Sequence, residues 1–83
     1  MKEKIIDFIK KILMEDYDLY NVEVKPTSSF RNDFGLDSLD VMEIIQKVEM
    51  KYNISIPYTE SDTIETVQDI IDVVCNKLNC APK

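Results

Sequence analysis

One serine of this sequence stands where a phosphate ester would be stabilised. Ser38 lies three residues after Gly35, the only glycine of the chain, and opens a stretch with helical periodicity. The first turn of a helix has unpaired N–H groups and the positive end of the helix dipole, so a phosphate esterified there needs no deep pocket. Gly35 allows left-handed backbone angles or the close approach of another molecule. Ser38 is therefore a candidate site for a phosphodiester.

The same two residues also have a purely structural interpretation. Serine is a common N-cap residue, and glycine is common in a loop before a helix, so Ser38 could simply cap the helix. A catalytic serine is disfavoured, because it needs a paired base and the chain contains no histidine. A chain of 83 residues also leaves no spare structure for an enclosed catalytic pocket. We therefore predict that the chain is not an enzyme.

Stretches of helical periodicity on both sides position this serine. The spacing of apolar residues predicts helices from about residue 2 to 17, from 38 to 52 and from 67 to 79. Pro57 leaves room for at most a short helical turn at 58–62, and Thr66 with Asp69 forms a capping pattern before the last helix. No run alternates over the length of a strand. We predict a single all-α domain over residues 1–83, a bundle of three main helices and one short helix.

The stretch between the first two predicted helices has no helical period. Residues 18–37 are rich in turn formers, and a structureless loop of this length is uncommon in a compact domain. Its apolar side chains should therefore pin it to the core or form a short turn. These side chains are Leu19, Val22, Val24, Phe30 and Phe34.

The charge of the chain indicates the kind of partner that it meets. The net charge is -6, which disfavours nucleic acid and anionic lipid and favours partners with a basic patch. Eight acidic and three basic residues lie between positions 30 and 65, so five of the six net negative charges are found there. The alternative interpretation of these charges is an ordinary solvated face. Leu39 and Met42 lie outside the core stripe, either as scattered exposed side chains or as the apolar centre of a docking site.

Two further patterns bear on compartment and metal binding. Cys75 and Cys80 occur without a CxxC pair or a histidine, so we predict no metal or redox site, with Cys75 half-buried on a helix and Cys80 in the tail. The N-terminal apolar run is interrupted by Asp7 and Lys10, and no stretch approaches the ~20 apolar residues of a membrane span. We expect a cytoplasmic protein without membrane insertion.

The segment around Ser38 resembles a known signature. Asp37-Ser38-Leu39-Asp40, preceded by Phe34-Gly35, is similar to the DSLD motif of bacterial acyl carrier proteins. Phe30 and the segments 41–45, 54–57 and 66–70 stand at the spacings of the same family. The resemblance implies that Ser38 bears 4′-phosphopantetheine, donated by coenzyme A and attached by a phosphopantetheinyl transferase with magnesium. Acyl groups would then be carried as thioesters on this arm, and the helical interior would open to shelter them.

The resemblance also implies a recognition surface on the helix that Ser38 opens. Its acidic side chains would dock on basic patches of acyl-transferring and chain-elongating enzymes, in weak and salt-sensitive complexes. The predicted recognition residues are Asp37, Leu39, Asp40, Met42, Glu43 and Glu49.

Three functional alternatives remain open at this point. The first is a discrete, monomeric carrier for fatty-acid biosynthesis. The second is a dedicated carrier for a polyketide, nonribosomal peptide or other specialised pathway, because this sequence departs from the pattern of fatty-acid carriers. The third is an unmodified helical interaction module. The departures are Leu36 in place of a small residue, Met50 in place of an acid, and the basic residues Lys47 and Lys51.

Overall fold

A computed structural model describes residues 2–78 of the chain. It contains helices α1 (Lys2–Tyr17), α2 (Ser38–Tyr52), α3 (Tyr58–Ser61) and α4 (Val67–Lys77). Residues 2–78 form no strand, and their extended pairing is limited to an isolated bridge between Ser29 and Thr66. The all-α prediction with three main helices and one short helix is confirmed. The predicted end of the last helix at residue 79 lies outside the described residues.

Buried stripes on the three long helices meet in one core. Their members recur at the three- and four-residue spacing of one helical face, which is why these segments fold as amphipathic helices. Cys75 belongs to this core and is fully buried, so the prediction of a half-buried thiol is wrong. Cys80 lies outside the described residues. The stripes are Ile5, Ile9, Ile12 and Leu13 on α1, Val41, Ile44, Ile45 and Val48 on α2, and Val67, Ile70, Ile71, Val74 and Cys75 on α4.

The long loop between α1 and α2 is packed against the start of α4. Phe30 is fully buried, and its N–H donates to the carbonyl of Glu65 at 3.0 Å. In return, the N–H groups of Val67 and Gln68 donate to loop carbonyls at 3.1 and 2.8 Å. Phe34 is also buried. The prediction that apolar residues pin this loop to the core is confirmed.

None of the helices in residues 2–78 is both long and apolar enough to cross a membrane.

Candidate functional site

Ser38 is the first residue of α2, and its side chain does not cap that helix. The N-cap is Asp37, whose Oδ1 accepts a hydrogen bond from the Asp40 N–H at 2.9 Å. Asp40 closes a capping box, because its Oδ2 accepts from the Asp37 N–H at 3.2 Å. The alternative in which Ser38 serves as the cap is therefore wrong. Its exposed hydroxyl is available for chemistry.

Helices α2 and α4 each begin with a capping box, but the hydrogen-bond partners of the neighbouring N–H groups differ. At α4, the box of Thr66 and Asp69 is completed by loop carbonyls that accept from the N–H groups of Val67 and Gln68. At α2, the equivalent N–H groups belong to Ser38 and Leu39. Within residues 2–78, no atom accepts a hydrogen bond from either of these two N–H groups. Two backbone donors beside the Ser38 hydroxyl are thus open to an anion.

A cation also contacts the serine. Arg31 donates from Nη2 to Ser38 Oγ at 2.7 Å. The backbone of Arg31 is held in place, because its carbonyl accepts from the Gly35 N–H at 3.2 Å and the preceding residue, Phe30, is buried. Gly35 adopts a φ of 67°, the left-handed region that a glycine enters without strain. The turn before α2 therefore places a guanidinium on the hydroxyl.

A cleft of about 290 Å³ opens beside Ser38, between the loop, α2 and α3. Arg31 and Ser38 lie on its wall together with Met42 and Tyr58, and the buried side chain of Val41 contributes an apolar surface. A chain attached to the Ser38 hydroxyl would begin at the edge of this cleft.

Two of the acidic residues on α2 also have structural contacts. The Tyr17 hydroxyl, at the end of α1, lies 3.0 Å from Glu43 Oε2 and 3.3 Å from the carbonyl oxygen of Asp40, and donates to them. The pKa of Tyr17 is raised to about 12, first by burial and then by the hydrogen bond to Glu43 and the charges of Glu43, Asp40 and Asp37. Glu49 accepts at Oε2 from the Ile56 N–H at 2.8 Å. Glu43 is exposed, whereas Glu49 is half-buried.

Apolar side chains are also exposed near Ser38. Leu39 retains 69% of its accessible surface and Met42 retains 38%. The six predicted recognition residues thus lie on one helix and its N-cap. Leu39 and Met42 are exposed beside acidic side chains, and Glu43 and Glu49 contact α1 and the segment before α3, respectively.

Comparison with known proteins shows the family of this chain. The family model for the phosphopantetheine attachment site matches residues 5–74. The acyl carrier protein of Wolinella succinogenes is 43% identical over 67 residues, which are 81% of this chain and 88% of that protein. The chain belongs to the acyl carrier protein family.

Solved structures of acyl carrier proteins have the same fold. The protein of Thermotoga maritima superposes with a TM-score of 0.84 at 28% identity, covering 94% of this chain and 91% of that chain. The protein of Enterococcus faecalis gives a TM-score of 0.73, covering 93% of this chain and 98% of that chain. At 23% identity, this second likeness is one of fold alone.

Membership confirms the predicted family, the prosthetic group and the absence of an enzymatic role. Acyl carrier proteins are carriers, not enzymes, and act with enzymes that handle acyl groups. The group of this family is 4′-phosphopantetheine, whose thiol forms thioesters with acyl groups. The donors at the start of α2 fit its phosphate: the open N–H groups of Ser38 and Leu39 and the guanidinium of Arg31.

Sequence reasoning missed three contacts of this carrier protein. It counted Arg31 as a charge and did not place it on Ser38. It treated Glu49 as a surface acid, although one carboxylate oxygen is bound to the Ile56 N–H. It did not predict the hydrogen bond from the Tyr17 hydroxyl to Glu43. The only local signal was the position of Arg31 beside Phe30, a residue already expected to be anchored in the core.

Proposed function

We propose that Ser38 is the residue to which 4′-phosphopantetheine is attached and that the chain carries acyl groups for fatty-acid biosynthesis. The observation that carries the proposal is the state of the Ser38 hydroxyl. It is exposed at the first residue of α2, it is not used as a cap, and donors for a phosphate surround it. The match of residues 5–74 to the attachment-site family supports the same assignment.

The chain needs no catalytic group for the attachment. The Ser38 oxygen forms a bond to the phosphorus that bears the pantetheine half of coenzyme A, and the bond from that phosphorus to the adenosine-bearing phosphate breaks. The transferase supplies the base that takes the hydroxyl proton and the magnesium ion that stabilises the leaving phosphate. The part of this chain is to hold the hydroxyl exposed at a helix start that favours the negatively charged product.

We assign the recognition surface to Asp37, Leu39, Asp40, Met42, Glu43 and Glu49. Leu39 and Met42 give it an adaptable apolar centre, because both are exposed although apolar. The acidic residues around them favour basic patches on acyl-transferring and chain-elongating enzymes. Glu49 contributes less than the exposed Glu43, because it is half-buried and bound to the Ile56 N–H.

Contacts in the fold account for most of the departures from a fatty-acid carrier. Lys47 forms an ion pair with Asp16, and the Lys51 ammonium lies 5.7 Å from the centre of the Phe8 ring. Both lysines therefore interact with α1. Leu36 is buried in the core, where its size has a packing role. Met50 is 83% exposed, and this side chain favours the second candidate, a carrier dedicated to a specialised pathway. We also propose that the carrier is cytoplasmic, monomeric and a single domain. These properties are compatible with either pathway.

The attachment is tested by the intact mass of the protein after incubation with a broad-specificity phosphopantetheinyl transferase, magnesium and coenzyme A. The parent protein and Ser55→Ala, which removes another exposed serine, are expected to gain one phosphopantetheine. Ser38→Ala is expected to gain none. A folded parent that gains no mass would contradict the proposal and favour the unmodified interaction module.

The pathway is tested with the modified protein. Fatty-acid malonyl transferase and chain-elongating enzymes should load and extend acyl groups on it at rates close to those on a known fatty-acid carrier. Loading by other acyl-transferring enzymes without extension by this set would favour the specialised pathway.

A further inference from the structure

We propose that Arg31 is a positioning residue for the phosphate on Ser38 and fixes the direction in which the prosthetic arm leaves the protein. The proposal rests on the assignment of Ser38 as the attachment site. It goes further, because it gives a role to a side chain on the loop and not on α2.

Ser38 lies next to negative charges. A phosphodiester adds one negative charge beside the carboxylates of Asp37 and Asp40, whose capping box keeps both of them close to the helix start. Like charges that lie close together repel one another. Arg31 is the cation in contact with Ser38, and it takes part in none of the ion pairs found within residues 2–78. Its charge is therefore available to offset the repulsion.

The guanidinium of Arg31 is close enough to reach a phosphate on Ser38. Arg31 Nη2 lies 2.7 Å from Ser38 Oγ, the atom that becomes the ester oxygen. The charged oxygens of the ester are bonded to the phosphorus next to that atom. A guanidinium presents several N–H groups in a planar fork that matches two phosphate oxygens at once. A small rotation of the Arg31 side chain transfers its hydrogen bond from Oγ to those oxygens.

The fold holds the backbones of both partners in place. Arg31 follows Phe30, which is fully buried and bonded to the Glu65 carbonyl at 3.0 Å, and Ser38 follows the N-cap of α2. The separation of the two backbones is thus set by packed structure. Both residues line the cleft of about 290 Å³, so a phosphate bound to Arg31 directs the first atoms of the arm along this cleft.

The test uses the fact that Arg31 is the only arginine of the chain, so its side chain gives a single Nε–H signal in ¹⁵N spectra. On modification of the parent, this signal is expected to shift and its exchange with water to slow. The ³¹P signal of modified Arg31→Gln should move from its position in the parent and become narrower, because a freer phosphate has slower transverse relaxation. Arg31→Lys, which keeps the charge without the fork, should fall between the two.

A matched control removes a charge elsewhere on the same loop. Lys25 contacts Glu23 and not Ser38, so modified Lys25→Gln should give the ³¹P signal of the parent. An equal shift in Lys25→Gln would overturn the proposal in favour of the general field of the protein.

The outcomes separate the two proposals. A parent that gains no phosphopantetheine by mass overturns the attachment site and this inference with it. A parent that is modified, but whose Arg31 signal does not respond and whose ³¹P signal is unchanged in Arg31→Gln, overturns the role of Arg31 alone. The comparison of unmodified and modified parent needs no variant, so it decides the matter even where Arg31→Gln is a poor substrate of the transferase.

Discussion

At the start of α2, Asp37 has a structural role and a proposed recognition role. Its carboxylate caps the helix, and it also stands beside the serine that the transferase must reach. The two roles depend on different properties: capping needs a side-chain oxygen, whereas recognition by a basic patch needs the negative charge.

Substitution of Asp37 separates these properties. Asp37→Ala should lower the free energy of unfolding by about 1 kcal/mol, because the cap is lost. Asp37→Asn keeps the oxygen, so its free energy of unfolding should differ from that of the parent by about 0.3 kcal/mol at most. Both should lower kcat/KM with the transferase. Urea denaturation and steady-state kinetics measure the two effects, and unchanged kinetics in Asp37→Asn would remove Asp37 from the recognition surface.

Some residues of the site could be predicted from the sequence and others could not. Ser38 could be located, because the helical period begins there and a glycine precedes it. Asp37 was not predicted as the cap, because aspartate and serine are both good caps and the helix boundary is uncertain by a residue. The capping box of Thr66 and Asp69 has no competing cap residue beside it and was predicted correctly.

Between elements, Tyr17 links the end of α1 to α2. Its hydroxyl donates to Glu43, and its pKa is raised from the ordinary value of 10.0 to about 12, first by burial and then by Glu43. The folded state therefore binds the hydroxyl proton more tightly than the unfolded state. This contribution to stability is fully present below pH 10 and is lost as the pH rises through about 12.

Tyr17→Phe should be less stable than the parent at neutral pH by about 1 kcal/mol, the typical value of one hydrogen bond. The difference between the two proteins should shrink as the pH is raised from 10 to 12. Urea denaturation of both proteins across this range measures the difference, and other titrating groups cancel in the comparison. A difference that is constant with pH would mean that the tyrosine proton is not the source of the stability.

The loop and α4 depend on Phe30. Phe30→Ala removes a fully buried ring and should cost about 3–5 kcal/mol of unfolding free energy. The amide protons of Val67 and Gln68, which donate to loop carbonyls, should then exchange faster relative to those in the middle of α2. Phe8→Ala, at a half-buried ring, serves as the control and should cost less. Unchanged exchange at Val67 and Gln68 would show that the loop is held without Phe30.

For the molecule as a whole, the net charge of -6 predicts opposite effects of salt on folding and on binding. Screening reduces repulsion within the folded chain, so added salt should leave stability unchanged or raise it slightly. It should weaken binding to an enzyme with a basic patch. At ~0.5 M salt we expect the affinity for a carrier-dependent enzyme to fall several-fold, measured by calorimetry beside urea denaturation under the same conditions. Affinity that does not respond to salt would refute electrostatic docking.

The helices, the position of Ser38 and the acidic character of its surroundings could be predicted from the amino-acid sequence alone. These depend on local rules: the spacing of apolar residues, capping patterns and charge along the chain. The side chains that contact Ser38 and its helix, in contrast, depend on how the loop and the helices pack together. Arg31 lies 7 residues from Ser38 and Tyr17 lies 26 residues from Glu43, and both contacts depend on the path of the loop. Core packing fixes that path through Phe30 and its backbone hydrogen bonds, and residues 18–37 have no periodicity from which it could be read.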